Sequence, residues 1–157
     1  MELPEKLSET ILNLDLAGRI PYGVKVKVDH DALCDYDSDW KKWNFDEEPQ
    51  ELDTISINGG VAFSCLDQWD GLIPIRFVKP YLFPLSSLTD EDIDQIKLRT
   101  YFDLDLIKSG KFELDGTGDM TDILSLIDEF NKRNIDYRRL IDMDLAEDAT
   151  DKHIYDL

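Results

Sequence analysis

The chain is 157 residues long, 42% hydrophobic and 10% aromatic, enough to bury a core and too apolar for an intrinsically disordered protein. Its 35 acidic residues outnumber 17 basic ones for a formal net charge of -18. Such a field argues against direct binding of nucleic acid or an anionic membrane, and it attracts cations or a basic protein surface.

The length predicts one domain spanning residues 1–157. The N-terminal MELPEKLSET is acidic and lacks the basic and apolar regions of a signal peptide. No run approaches the roughly 20 apolar residues of a membrane helix, so a cytoplasmic protein without membrane contact is expected. Cys34 and Cys65 are then expected as reduced thiols.

A short helix is predicted first. Pro4 suits its opening turn, Leu7, Ile11 and Leu14 recur at spacings of four and three, and Gly18 is a C-terminal stop. In YGVKVKV, Val24, Val26 and Val28 alternate with Lys25 and Lys27, the pattern of a strand with one wet face. The acidic stretch DHDALCDYDSDWKKWNFDEE (29–48) follows. Then come DTISINGG, VAFSCL and LIPIRFV, three β-rich runs. Asn58-Gly59-Gly60 marks a hairpin, Gln68 to Gly71 a turn, and Val61, Phe63 and Cys65 one strand face. Residues from about 22 to 78 therefore read as a small antiparallel β-meander or a partly closed barrel.

Pro80 and Pro84 in KPYLFPLSSLT exclude a central strand and predict an extended crossing segment. Thr89 with Asp92 resembles a capping box, ahead of buried Ile93 and Ile96. Residues 101–120 are ambiguous, with a turn at Asp115-Gly116 and Gly118. TDILSLIDEFNKRN is the clearest helix. Asp119 or Thr121 could cap it, and Lys132 and Arg133 complement its dipole. Ile123, Ile127 and Phe130 form its face, flanked by Leu124 and Leu126. A second short helix, DYRRLIDMDLA, is predicted after Asn134. The sum is an α+β chain with a β-rich half (about 20–80), a helical half (about 88–147) and a short tail.

Asp35, Asp37 and Asp39 mimic positions one, three and five of an EF-hand loop, with Asp46 at position twelve. Trp40 stands where that loop needs glycine for its turn, and Asp46 is one methylene shorter than the usual Glu. The stretch thus suits weak, opportunistic cation binding better than a specific calcium site. Its simplest reading is a solvated connection whose Trp40, Trp43 and Phe45 fold back onto the sheet. His30, His153, Cys34 and Cys65 could form a zinc set in principle, but they lack close CxxC or HxxxH spacing. The motifs GxSxG, HExxH and GxxxxGK[ST] do not occur, and DGTGD (115–119) is flanked by phosphate-repelling aspartates. No cofactor is expected. Lys41-Lys42 and Arg138-Arg139 are too isolated for a nucleic-acid patch, and Arg138 is expected to pair with Asp136, Asp142 or another local acid.

The stretches IPYGVKV (20–26), KPYLFPLSSLT (79–89) and DYRRLIDMDLA (136–146) together resemble a group of small proteins encoded in Bacteroidetes genomes and their phages and prophages. The anchors bracket most of the chain but cover a minority of its residues. Phe83 stands where that group has Arg, and Arg139 and Asp144 where it has Gly. The resemblance implies a phage or mobile-element accessory protein in a bacterial cytoplasm. It also implies structural roles, with Pro80 and Pro84 at the crossover and Tyr137, Leu140, Ile141 and Leu145 docking the last segment.

The resulting expectation is a non-enzymatic protein that binds a host protein with a basic surface. Its contact candidates are Asp29, Asp31, Asp35, Asp37, Asp39, Trp40, Asp46, Glu47 and Glu48. A sharper version has it imitate nucleic-acid phosphates to block a defence protein. The alternatives are a divalent-cation-binding protein centred on Asp35, Asp37, Asp39 and Asp46, and a virion or mobile-element assembly protein.

Overall fold

A computed structural model of the chain describes residues 3–45, 48–56, 58–63, 65–66, 70–97 and 120–155. Helix α1 (Glu5–Arg19) starts after Pro4, which is its N-cap rather than a first-turn residue, and Glu5 in the first turn complements the helix dipole. Its buried side is Leu12, Asp15, Leu16 and Arg19, not the predicted ladder, for Leu7 and Leu14 are 46% and 61% exposed. The spacing was ambiguous because α1 carries two apolar ladders, and the buried one also carries two charges that neutralise each other (Arg19 Nε to Asp15 Oδ2, 2.7 Å). Gly18 is not the stop. The helix runs through Arg19 into a 3-10 turn (Ile20–Tyr22) and ends at Gly23, whose φ of 70° is left-handed. Gly18 instead permits close packing, since a Cβ there would lie 2.7 Å from Asn131 Nδ2.

Strand β1 (Lys25–Val28) follows the alternation, and Val24, Val26 and Val28 are buried. The other strands are β2 (Gln50–Ile55), β3 (Gly60–Phe63), β4 (Ile73–Pro74), β5 (Val78–Pro84), β6 (Ile135–Asp136) and β7 (Glu147–Asp148). Among the described residues they form one seven-stranded sheet ordered β4-β3-β2-β1-β5-β6, with β7 also on β5. Neighbours from β4 to β5 are antiparallel, whereas β6 and β7 join β5 in parallel. The sheet is mixed and open, which corrects the barrel alternative. The predicted hairpin is present: Gly59 (φ 81°) sits in the turn and Ser56 N donates to Gly60 O at 2.7 Å. Strand β3 ends at Phe63, so Cys65 is an exposed turn residue rather than part of a core face.

The prolines of β5 did not keep it from the sheet's interior. Asp29 N donates to Phe77 O, and alternation from that pair makes Val26–Pro80 a pair that exchanges no hydrogen bonds. Pro80 therefore lacks an N–H where β1 needs none, pairing with β7 starts only at Tyr81, and Pro84 is the final strand residue.

Between β1 and β2 the acidic stretch forms helix α2 (His30–Tyr36) and a 3-10 turn (Ser38–Lys42). Helix α3 (Asp90–Lys97) opens on the predicted capping box: Thr89 N donates to Asp92 Oδ2 and Asp92 N to Thr89 Oγ1, at 2.9 and 3.1 Å. Helix α4 (Met120–Lys132) buries Leu126, Glu129, Phe130 and Asn131, while Leu124 is exposed and Ile123 and Ile127 are half-buried. The predicted cap Asp119 and the turn at 115–118 lie outside the described residues, and Thr121 falls within α4 itself.

The predicted last helix does not form. Residues 137–146 are a run of turns between β6 and β7. Asn134, Arg139 and Asp144 have φ of 54°, 61° and 58°, and left-handed residues interrupt a right-handed helix. Leu140 and Ala146 still reach the core, flanked by Ile141 and Leu145. The larger core lies over the sheet around Val26, Leu52 and Phe63. A smaller one joins Leu88, Ile93 and Ile96 to Leu126, Phe130 and Ile135.

Candidate functional site

The acidic stretch owes its shape to short side chains that bond back to the main chain. Asp29 caps α2, accepting from Ala32 N at 3.1 Å, and Asp37 caps the next turn, accepting from Asp39 N at 3.0 Å. An apolar underside pins it to the sheet. Leu33, Trp40 and Phe45 are buried, Phe45 meets Phe63 edge-on at 5.5 Å, and Trp43 stacks on Phe45 at 6.1 Å. Trp40 is 5% exposed, so it anchors the ridge and cannot be a contact residue as the sequence suggested.

The outer side carries Asp29, Asp31, Asp35, Tyr36, Asp37 and Asp39, all exposed. Asp31 and Asp35 are four apart on α2, which places them one above the other on one helix face. Asp31, Asp35 and Asp39 make no ion pair among the described residues. Glu48 is exposed, while Asp46 and Glu47 lie outside the described residues. No group of three or more His, Cys, Asp or Glu converges among the described residues. This covers Asp35, Asp37 and Asp39, and also His30, Cys34, Cys65 and His153. The first three are kept apart by the boundary between α2 and the turn, where Asp37 leaves the helix in an extended conformation.

The foot of the ridge has a different charge. A cavity of about 320 Å³ is lined there by Lys27, Arg76 and Lys79 together with Asp29, Asp31 and Glu147. Lys27 and Lys79 face each other directly across β1 and β5, an arrangement that costs energy unless compensated. Compensation comes from Glu147, 3.3 Å from Lys27, and Asp144, 2.6 Å from Lys79. Partial burial would raise the Glu147 carboxyl, but Lys27 and Lys152 outweigh it and hold the group below the usual range. Arg76 stacks on Tyr36 and Phe77 and approaches Glu5 and Glu9 at 3.8 Å. The basic flank is thus bordered by Asp29 and Asp31 of the ridge as well as by Glu147 and Asp144, while Asp35, Asp37 and Asp39 farther along make no ion pair among the described residues.

Sequence reasoning missed the polar seam behind the sheet. Asp15 and Arg19 are fully buried as a pair, Arg19 Nη2 donates to Ile135 O at 2.9 Å, and Arg138 reaches Asp15 at 3.4 Å. Arg138 therefore pairs across the fold rather than with Asp136 or Asp142, and Asp142 takes Arg139. Asp136 accepts from Leu140 N and Ile141 N, both at 2.8 Å. Burial pushes its carboxyl up, and those two N–H groups only partly offset this. The one available signal was the i,i+4 spacing of Asp15 and Arg19 on α1.

No described helix is long and apolar enough to cross a membrane. Comparison with family models, curated proteins and solved structures gave no match.

Proposed function

We propose that this protein is a non-enzymatic binding protein that docks a basic surface of a host protein through the α2 ridge. The observation that carries this is the ridge itself: exposed carboxylates without ion-pair partners among the described residues, held on a short helix and turn anchored in the core. Anchoring limits the ordering cost of association, and the net charge of -18 steers a basic partner toward it. A phage or mobile-element accessory role in a bacterial cytoplasm fits the resemblance of the three anchor stretches. Arg139 and Asp144, which replace that group's glycines, both have left-handed φ, as glycine positions would. Imitation of nucleic-acid phosphates is the finer form of this reading.

The test is affinity capture from host lysate with the wild type beside an Asp31→Asn, Asp35→Asn, Asp39→Asn variant, across salt concentrations. A basic protein retained by the wild type at low salt and lost from the variant is expected. Identical proteins retained by both would sink the ridge as the contact.

A further inference from the structure

We propose that residues 150–155 form a strap that lifts from the sheet as a unit of its own while the rest of the fold stays closed, with the Tyr155 hydroxyl as its latch. The place of that hydroxyl is unusual. Leu52 N donates to Val24 O, so Val24 and Val26 turn their main-chain groups to β2 and Lys25 turns its own to β5. The register that pairs Val26 with Pro80 sets Lys25 opposite Tyr81, the next pair due to exchange hydrogen bonds directly. The Tyr155 hydroxyl stands between them instead, accepting from Lys25 N at 3.0 Å and donating to Tyr81 O at 2.8 Å. A side chain thus holds a position in the β1–β5 ladder that belongs by register to the main chain.

The strap crosses β5 to reach that position. Ala149 N donates to Leu82 O, and Leu82 turns its main-chain groups to the edge of β5 opposite β1. From there the strap passes over the face that carries Tyr81 and Phe83. Lys152 lies 5.5 Å from the centre of the Tyr81 ring, Lys25 Nζ donates to Ile154 O at 3.0 Å, and the rings of Tyr155 and Phe83 are 5.9 Å apart.

Little else holds it. Thr150, Asp151, Lys152 and His153 are exposed, and Ile154 and Tyr155 are half-buried, so the strap gives no buried residue to either core. The Lys152–Glu147 pair, at 3.4 Å, is part-exposed and of the kind that contributes little. Asp151 and His153 have φ of 61° and 51°, left-handed conformations that relax when the strap lifts. Lifting therefore breaks a few solvent-near bonds and relieves strain, whereas opening β1 exposes the valines of the core. Segments with so few buried contacts open at the low end of a protein's stability range. The strap also gates a groove of about 810 Å³, since Thr150, Asp151 and Tyr155 form one wall of it beside Tyr22 and Phe83.

The experiment follows amide exchange by NMR in the whole chain, without urea and in urea too dilute to unfold it. Lys25 N–H reports the strap, because Tyr155 is its acceptor, and Leu52 N–H, bonded to Val24 O, reports the sheet. Lys25 should be protected about a hundredfold less than Leu52, and its protection should stay constant in urea while that of Leu52 falls. Tyr155→Phe should lower the protection of Lys25 about tenfold. In Tyr155→Ala, hydroxyl-radical labelling of Phe83 should rise about threefold or more, with that of buried Phe63 unchanged. Equal protection and equal urea dependence at Lys25 and Leu52 overturn the proposal, since the strap would then open only with the fold. An unprotected Lys25 overturns it too, since the strap would not close. Unchanged protection of Lys25 in Tyr155→Phe removes the latch. Labelling of Phe83 that stays flat, or that rises only together with Phe63, removes the separate unit.

Discussion

The sheet core and the seam behind it bury side chains by opposite means. Over the sheet, Val24, Val26, Leu33, Val61 and Leu82 are fully buried and carry no polar atom beyond their backbone. In the seam, Asp15, Arg19, Glu129, Asn131, Asn134 and Asp136 are buried with their charges and amides. The first region gains from apolar transfer, which is non-directional and tolerant. The second must satisfy each group by geometry, and Arg19 Nη1, Asn131 Oδ1 and Asn134 Oδ1 still lack a hydrogen-bond partner. One region supplies cohesion. The other specifies how α1, α4 and the turn-rich segment meet.

The contrast can be broken most severely at its dry side. Val26→Asp places an unpaired charge at a fully buried strand position and should cost about 4 kcal/mol or more, leaving no folded protein by circular dichroism. Nearly as large is the effect expected in the seam. Asp15→Leu strands buried Arg19 and should cost about 3–5 kcal/mol in urea melts, whereas Asp15→Leu with Arg19→Met should recover most of it. A double variant as unstable as the single one would show that the pair does not act as a unit.

Tyr155→Phe tests the boundary between the two regions. It leaves Lys25 N and Tyr81 O without their bridging hydroxyl and should cost about 1–3 kcal/mol. Burial pushes the Tyr155 phenol from 10.0 up to about 12. A raised pKa gives stability that is complete below the unfolded value and lost as pH rises through the folded one. The wild type should therefore lose stability between pH 10 and about 12, and Tyr155→Phe should lack that component. Smallest is Arg139→Gly. Relief of the left-handed residue, about 1–2 kcal/mol, exceeds glycine's entropic cost of about 0.5–1. Loss of the exposed Arg139–Asp142 ion pair takes back a few tenths of a kcal/mol, so a net stabilisation below about 0.5 kcal/mol should appear as a small rise in the urea midpoint.

Legibility followed the same division. The valine alternation of β1, the Asn58–Gly60 hairpin, the Thr89–Asp92 box and the aromatic underside of the acidic stretch were readable, because each is a local pattern with one physical solution. The face of α1 was not, since Asp15 and Arg19 look solvent-bound until each is seen to neutralise the other. The central place of β5 was hidden by Pro80, whose missing N–H matters only once the register with Val26 is known. The last segment read as a helix because Leu140, Ile141 and Leu145 carry a helical spacing, and nothing local announces left-handed Arg139 or Asp144. Of the contact candidates, the exposed aspartates were legible as a group, while Trp40 carried two readings, underside anchor and contact, and its burial leaves only the first.

By itself, then, the sequence determined the α+β class, the strands and caps with local signatures, and an acidic surface, since propensity, periodicity and charge act over a few residues. The tertiary structure alone decided which α1 face is buried, that β6 and β7 run parallel to β5, and that Tyr155 and Asn134 share a groove with Phe83. Those outcomes depend on pairing between residues more than 50 positions apart, as in Tyr155 to Tyr81 and Arg19 to Ile135, and no window of sequence contains both partners.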